Sequence, residues 1–458
     1  MAGQVSGAGG GPRGARVVRG REAGSARWAG RSAAFAVIRQ EGRAHLARGF
    51  VVGGRVARRC AAFCGRKVTV TSHAPGAVPA VAEGRDELAD RFASEVVLVT
   101  GFPGYRARAL VDLLVEREPN AELWLLVPPP EVERSARLLA AKALGRDRLR
   151  IIPGEPCAID LGLARQTYAE LTARVDRWFA LYQTTSARAS RELSYRVNVG
   201  SAREVVELSR AADKLSHVAF LSSSIVFGDR GRQAEEERLA VGQTFRTAAA
   251  ESLAAAESLL TRRLAEAPVS VVRTPPLLGS RRSSDEPPST GLHRLLAQVM
   301  SAPRDVALPL PPGANRAVQA LPADFVAQAL YAVSELGTRG RAYHFTDPDP
   351  PALAEVLEQA AAHFGKRFEH GFDARTLGRI LLKSPAFWLS QQTSWALSEW
   401  TEATPLSTRS GDRLLERAGL HAPSLLGYLS HVLQETEQLA GAGQLEERLA
   451  SHPFEVVA

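Results

Sequence analysis

Cysteine is scarce in this chain of 458 residues: there are three, Cys60, Cys64 and Cys157. Three thiols cannot build a disulfide framework, so a reducing, cytoplasmic setting is expected. Cys60 and Cys64 are too widely spaced for a CxxC knuckle and have no Cys/His pair to join, so no metal site is expected. No apolar run approaches the ~18 residues of a membrane-spanning helix, so no membrane contact is expected either. Acidic side chains are nearly missing from residues 1–67, which hold two Glu against thirteen Arg and one Lys. That segment carries +12, so the net charge of +8 leaves −4 on residues 68–458. The basic excess is local, and a nucleic-acid-binding fold does not follow from it.

Residues 1–90 are rich in Gly, Ala and Arg and show no regular apolar period. Such a segment buries too little surface to offset its ordering entropy, and it reads as largely disordered. It could serve as a targeting presequence or as a basic arm on RNA or DNA. It could also reflect a start codon assigned too early, the reading favoured here because the folded pattern begins only at Glu95. Nucleic-acid binding through this arm ranks last.

What the chain does carry is clearest at 96–114, VVLVTGFPGYRARALVDLL. Apolar, mostly β-branched residues run into Thr100 and a glycine turn, and an amphipathic pattern with Leu110, Leu113 and Leu114 follows. That is a buried strand, a tight turn and a helix, the opening unit of a dinucleotide-binding sheet. Gly101 permits the turn, and Gly104 lets backbone approach a pyrophosphate at the helix N-terminus. The spacing is G-x-x-G-x-x-A, ending at Ala107, rather than G-x-G-x-x-G. By itself it also suits a glycine turn with no ligand.

Strand and helix then alternate. Strands are expected at 121–127, 148–155, 177–183, 217–228 and 269–279, with helices at 131–144, 161–175, 191–212 and 247–266. Beyond a polar, proline-rich loop at 281–290 come helices at 292–300, 324–336, 351–364 and 424–438 and a strand at 342–347. The fold class is therefore α/β, a doubly wound parallel Rossmann-like sheet with a smaller C-terminal α-rich cap. The expected organisation is 1–90 disordered, 91–280 nucleotide-binding, 281–440 a cap interleaved with the last strands, and 441–458 a tail.

Five further stretches, with the glycine turn, resemble the extended short-chain dehydrogenase/reductases, and among them the thioester-reductase and fatty-acyl-reductase branch. LGL at 161–163 followed by YAEL is similar to that branch's signature before the fourth strand. YRVNVGSAREVVELS resembles its NVxGT helix, with Asn198 and Gly200 in place. FLSSSIVFG resembles the strand of the catalytic serine, VVRTPPLLGSRRS its VRPxxVxGxxRxG segment, and LPADFVAQAL its VPVDyVA helix. The resemblance implies NAD or NADP as cofactor, held by Thr100, Gly101, Gly104, Ala107, Glu155, Asn198, Ser222 and Pro275. It also implies hydride transfer to a carbonyl such as an acyl thioester, and a homodimer or a partner reductase as company.

The residues of that chemistry are another matter. The family pairs a Tyr acid with a Lys four residues on, whose ammonium lowers the phenol's pKa. Aligned on Ser252 and Glu257, these positions hold Ala249 and Leu253, and only Ser223 keeps its place. No register shift repairs this, because no Tyr lies between Tyr195 and Tyr331 and no Lys between Lys214 and Lys366. Where the branch carries an NADP-pairing Arg, this chain has Pro128; where its fourth strand ends HxAA, this chain has Tyr182 and Gln183. The expectation is a nucleotide-binding, regulatory or interaction module that has lost hydride transfer. The alternative is an active oxidoreductase using a displaced acid such as Tyr182.

Overall fold

The computed structural model describes residues 94–141, 148–230, 233–237, 239–263, 267–281, 291–302, 308–310, 313–369, 404–441 and 456–457. The basic N-terminal segment, the proline-rich loop and most of the tail, with the expectations attached to them, lie outside the described residues. Among those described, no helix is long and apolar enough to cross a membrane.

Seven parallel strands form the sheet: β1 (Val96–Thr100), β2 (Glu122–Val127), β3 (Leu149–Pro153), β4 (Val175–Ala180), β5 (His217–Ser223), β6 (Val269–Thr274) and β7 (Ala342–His344). Their order is β3-β2-β1-β4-β5-β6-β7, the doubly wound arrangement whose direction of growth reverses between β1 and β4. Continuous apolar strands such as VVLVT and ELWLLV fit a sheet covered on both faces. Alternate residues then serve opposite cores. Val97, Val99, Leu123 and Leu125 pack with helices α1 (Tyr105–Arg117) and α7 (Ala323–Leu336). Val96, Leu98, Trp124 and Leu126 pack with α3 (Arg165–Arg174), α4 (Arg191–Ala211) and α5 (Ala248–Arg262). Helix α2 (Val132–Ala141) follows β2. Ser190 and Thr247 cap α4 and α5, accepting from Leu193 N and Ala250 N at 3.1 Å each.

The cap has its own core, in which α6 (Gly291–Ser301), α8 (Leu353–His363) and α10 (Leu425–Gly441) bring together Leu292, Leu296, Val356, Leu357, Tyr428 and Val432. Helix α9 (Arg409–Ala418), which periodicity alone did not single out, returns to the sheet and buries Leu414 and Leu415 with the α1 side. Gly411 makes this approach feasible, since a Cβ there would lie 2.1 Å from His344 O.

Five strands end earlier than the sequence suggests, the expected 148–155 strand at Pro153 and the 342–347 strand at His344 among them. The expected 217–228 strand stops at Ser223, and Ser224–Phe227 wind into a 3-10 turn that buries Val226 and Phe227 against the α4 and α5 face. The 269–279 strand stops at Thr274. The 177–183 strand is Val175–Ala180, after which Gln183–Thr184 pairs with Val456–Val457.

Buried guanidiniums pin both edges of the sheet. At the amino edge, Arg177 joins Glu95, Glu118 and Glu335. At the carboxyl edge, Arg273 donates to Glu257 from Nε at 2.9 Å and Nη2 at 2.7 Å, and from Nη1 to Glu236 O at 2.9 Å. Arg273 Nη1 also lies 2.8 Å from His344 Nε2, whose ring places Nδ1 2.8 Å from Ser407 O. The Glu236 carboxylate accepts from Ser410 N (2.8 Å) and Gly411 N (3.0 Å), at the positive end of α9.

Arg273→Ala strips the buried Glu257 of its partner and is expected to lower unfolding stability by about 3–5 kcal/mol, read from urea midpoints. A second expectation concerns pH. Burial, then the charge of Arg273, holds the His344 imidazole down to about 3 from the usual 6.5. The unfolded ring protonates first, so this contribution is complete above pH 6.5 and is lost as the pH falls toward 3. Midpoints measured across that window should fall more steeply for the natural chain than for His344→Gln.

Candidate functional site

The site begins where β1 meets α1. Gly101 turns at φ +100°, a conformation that favours glycine, and Gly104 N donates to Gly101 O at 2.9 Å. Helix α1 starts straight after Gly104 with no side-chain cap. Its first N–H groups have no partner within the helix, so its positive end meets the carboxyl edge of the sheet at the β1/β4 reversal. That cradle fits the diphosphate of a dinucleotide. Thr100 is buried, with Oγ1 accepting from Leu181 N at 3.3 Å, and Ala107 is buried where α1 crosses the sheet.

The neighbouring strand ends are filled. Tyr182, 7% exposed, packs with Cys157 and Val197. Its hydroxyl donates to Glu155 Oε1 at 2.9 Å, and Cys157 Sγ donates to the same oxygen at 3.2 Å. Burial, reinforced by the Glu155 carboxylate, raises the Tyr182 phenol well above its ordinary value and pushes the Cys157 thiol up to about 12. Gln183, with its amide oriented to satisfy both ends, donates to Leu221 O at 2.8 Å and accepts from Arg106 Nη1 at 2.7 Å. Pro128 opens the 3-10 turn Pro129–Glu131 and offers no donor side chain.

The remaining sequence-predicted residues split between packing and an open cavity. Asn198 is buried between α4 and α5. Its Oδ1 accepts from Thr184 N at 2.8 Å, and its Nδ2 donates to Thr184 O and Ser252 Oγ at 2.9 Å each. Ser222 donates to Glu257. Ser223 ends β5, and its Oγ accepts from Ile225 N at 3.5 Å. Ala249 and Leu253 are wholly buried on α5. Pro275 lines a cavity of about 580 Å³ together with Ser224, Asp347, Asp412, Glu416 and His421. Its described lining contains neither Tyr nor Lys.

Sequence reasoning did not pick out Asp347, which is buried and accepts from Leu425 N at 2.7 Å, its carboxyl raised chiefly by burial. The available signal was its position in FTDPDPP, a proline-rich turn at the carboxyl end of a parallel strand. Nor did it find the Gln183–Arg106 contact, which joins residues far apart in sequence. Among the described residues no His/Cys/Asp/Glu group could hold a metal ion.

The family model described as male sterility protein, an NAD-binding family, matches residues 99–330. A hybrid PKS-NRPS synthetase from Pyrenochaetopsis sp is 28% identical over 143 residues, which are 31% of this chain and 3% of the synthetase. Among solved structures, the terminal R domain of the myxalamid PKS-NRPS pathway superposes with a TM-score of 0.62 at 18% identity, covering 76% of this chain and 92% of that one. The reductase (R) domain of a nonribosomal peptide synthetase from Mycobacterium tuberculosis gives 0.57 at 20%, covering 76% and 93%. The dTDP-glucose 4,6-dehydratase of Bacillus anthracis, in complex with NAD, gives 0.52 at 15%, covering 75% and 97%. At these identities the structural likeness is one of fold.

Asn198→Ala removes the buried side chain that bonds Thr184 N–H and C=O and Ser252 Oγ. It is expected to lower stability by about 1–3 kcal/mol, measured by denaturant unfolding without any nucleotide present.

Proposed function

Because the chain belongs to the male sterility protein family of NAD-binding extended short-chain dehydrogenase/reductases, we propose that it is a nucleotide-binding member that no longer performs the family's hydride transfer. The family's cofactor is NAD or NADP. The observation that carries the proposal is the burial of Ala249 and Leu253 against α4, where the fold would present an acid and its activating ammonium. A hydride delivered to a carbonyl carbon leaves charge on the oxygen, and a proton donor of matched pKa must meet it there. Ser223 can donate a hydrogen bond, and its Oγ accepts from Ile225 N; the described lining of the cavity reached by its neighbour Ser224 holds neither Tyr nor Lys.

Tyr182 does not supply the missing acid in this reading. Its hydroxyl is held by Glu155, and its surroundings raise its pKa where catalysis requires it lowered. What remains is a scaffold able to report nucleotide occupancy, with a working reductase or a second copy as its partner. The resemblance to the thioester-reductase branch makes an acyl thioester the substrate class to test.

Purified protein titrated with NADH and NADPH by nucleotide fluorescence should show saturable binding. The same samples should oxidise neither nucleotide when given an acyl thioester. Turnover that Ser223→Ala abolishes would overturn the proposal in favour of an active oxidoreductase.

A further inference from the structure

In this sheet order the ends of β3 and β4 flank those of β1 and β2, so a contact between them spans the carboxyl edge beside the glycine turn. At ~4.8 Å per strand the separation is about 14 Å. Tyr182, two residues beyond β4, and Glu155, two residues beyond β3, close that distance with a 2.9 Å hydrogen bond. The phenol ring lies against Val197 of α4 and Cys157 of the loop after β3. Two glycines draw those walls in. A Cβ at Gly200 would lie 2.8 Å from Cys157 O, and one at Gly154 would lie 2.6 Å from Leu126 Cδ1. The result is a flat aromatic ring in a narrow slot, its polar edge donating to a carboxylate. In a doubly wound sheet a dinucleotide lies in the crevice beyond the carboxyl ends of the strands with its diphosphate at the helix N-terminus, so this slot stands beside the diphosphate cradle, within a nucleoside's reach.

We propose that Tyr182 is a built-in occupant of the nucleoside half of the crevice. Its ring takes the place of an adenine base and its hydroxyl takes the place of the base's exocyclic amino donor on Glu155. The inference rests on reading the crevice as a nucleotide site and adds how that site is controlled. A dinucleotide binds when Tyr182 swings away from Glu155, and the apparent affinity falls by the fraction of molecules in which it has done so. Cys157 donates to the same Glu155 oxygen, so the carboxylate keeps one partner when the phenol leaves.

The test compares the full chain with Tyr182→Ala and Tyr182→Phe, each titrated with NADH and NADPH by nucleotide fluorescence. Tyr182→Ala is expected to bind at least about tenfold tighter, the change that follows when the plugged state holds nine molecules in ten. Tyr182→Phe keeps the ring and drops the donor, and it should show a smaller gain in the same direction. If Tyr182→Ala fails to unfold cooperatively, Tyr182→Phe decides: a gain supports the plug and no gain overturns it. Equal or weaker binding by a folded Tyr182→Ala would overturn it by making the ring a stacking platform. Absence of binding by every form would overturn it as well. Thioester turnover, measured on the same samples, bears on the lost chemistry alone, so the two ideas fail separately.

Discussion

The carboxyl edge of this molecule depends on the Arg273–Glu257 pair. Both side chains are buried, so neither charge has water to fall back on, and each must be met by the protein. A guanidinium presents its donors in a rigid fork, and here the fork addresses α5 through Glu257, the loop before α5 through Glu236 O, and β7 through His344. Three elements distant in sequence are thereby fixed around the end of β6. The second Glu257 oxygen takes the Ser222 hydroxyl, which turns that serine inward. Ser223 and Ser224 are left at the open end of β5, and Ser224 reaches the cavity wall. The serine that resembles a catalytic one owes its position to a charge pair that takes no part in the chemistry.

Against this fixed edge the two halves of the crevice have separate determinants. The anion-binding half needs only backbone: the positive φ of Gly101 and the uncapped start of α1. The half beside it is lined by side chains after β3 and β4, and there Tyr182, Glu155 and Gln183 satisfy one another or nearby groups. A chain can therefore keep the first half unchanged while the second is rebuilt. That explains how a glycine turn suited to a diphosphate coexists with a fourth strand ending unlike that of the reductases.

The same division governs what could be read from the sequence. Strand cores such as VVLVT and HVAFL were legible because a sheet covered on both faces demands uninterrupted apolar residues. The strand ends were not, because Val226 and Phe227 are equally apolar in a turn that folds them back onto the core as in a strand. The absence of Tyr between 195 and 331 and of Lys between 214 and 366 is legible directly. That Tyr182 points at Glu155, that Glu236 holds the start of α9, and that Asp347 holds the start of α10 depend on pairings more than 25 residues apart. No local period carries such information, since each pairing exists only once the parallel crossovers have been made.

Helix α5 shows what the proposed loss of an acid would mean in physical terms, because the helix is built for close packing against α4. Its sequence AAAESLAAAESLLTR buries Ala249, Ala250, Ser252, Leu253, Ala254, Ala256, Glu257 and Leu260, a face in which small side chains predominate. Small residues let α4 approach closely enough for Asn198 to reach both Ser252 Oγ and, at 3.4 Å, the carbonyl of Ala249. A tyrosine at 249 would have to fit where Ala249 is wholly buried, and overpacking of this kind typically costs about 1–3 kcal/mol. A lysine at 253 would bury an ammonium in an apolar cluster, where the carboxylate one turn along the helix, Glu257, is already held by Arg273. Functional sites are commonly held at some expense of stability, and a helix freed of that duty can optimise its contacts instead. Under the proposed function, the closeness of α4 and α5 is therefore the physical counterpart of the missing acid, tying two side chains to the shape of the whole helix pair.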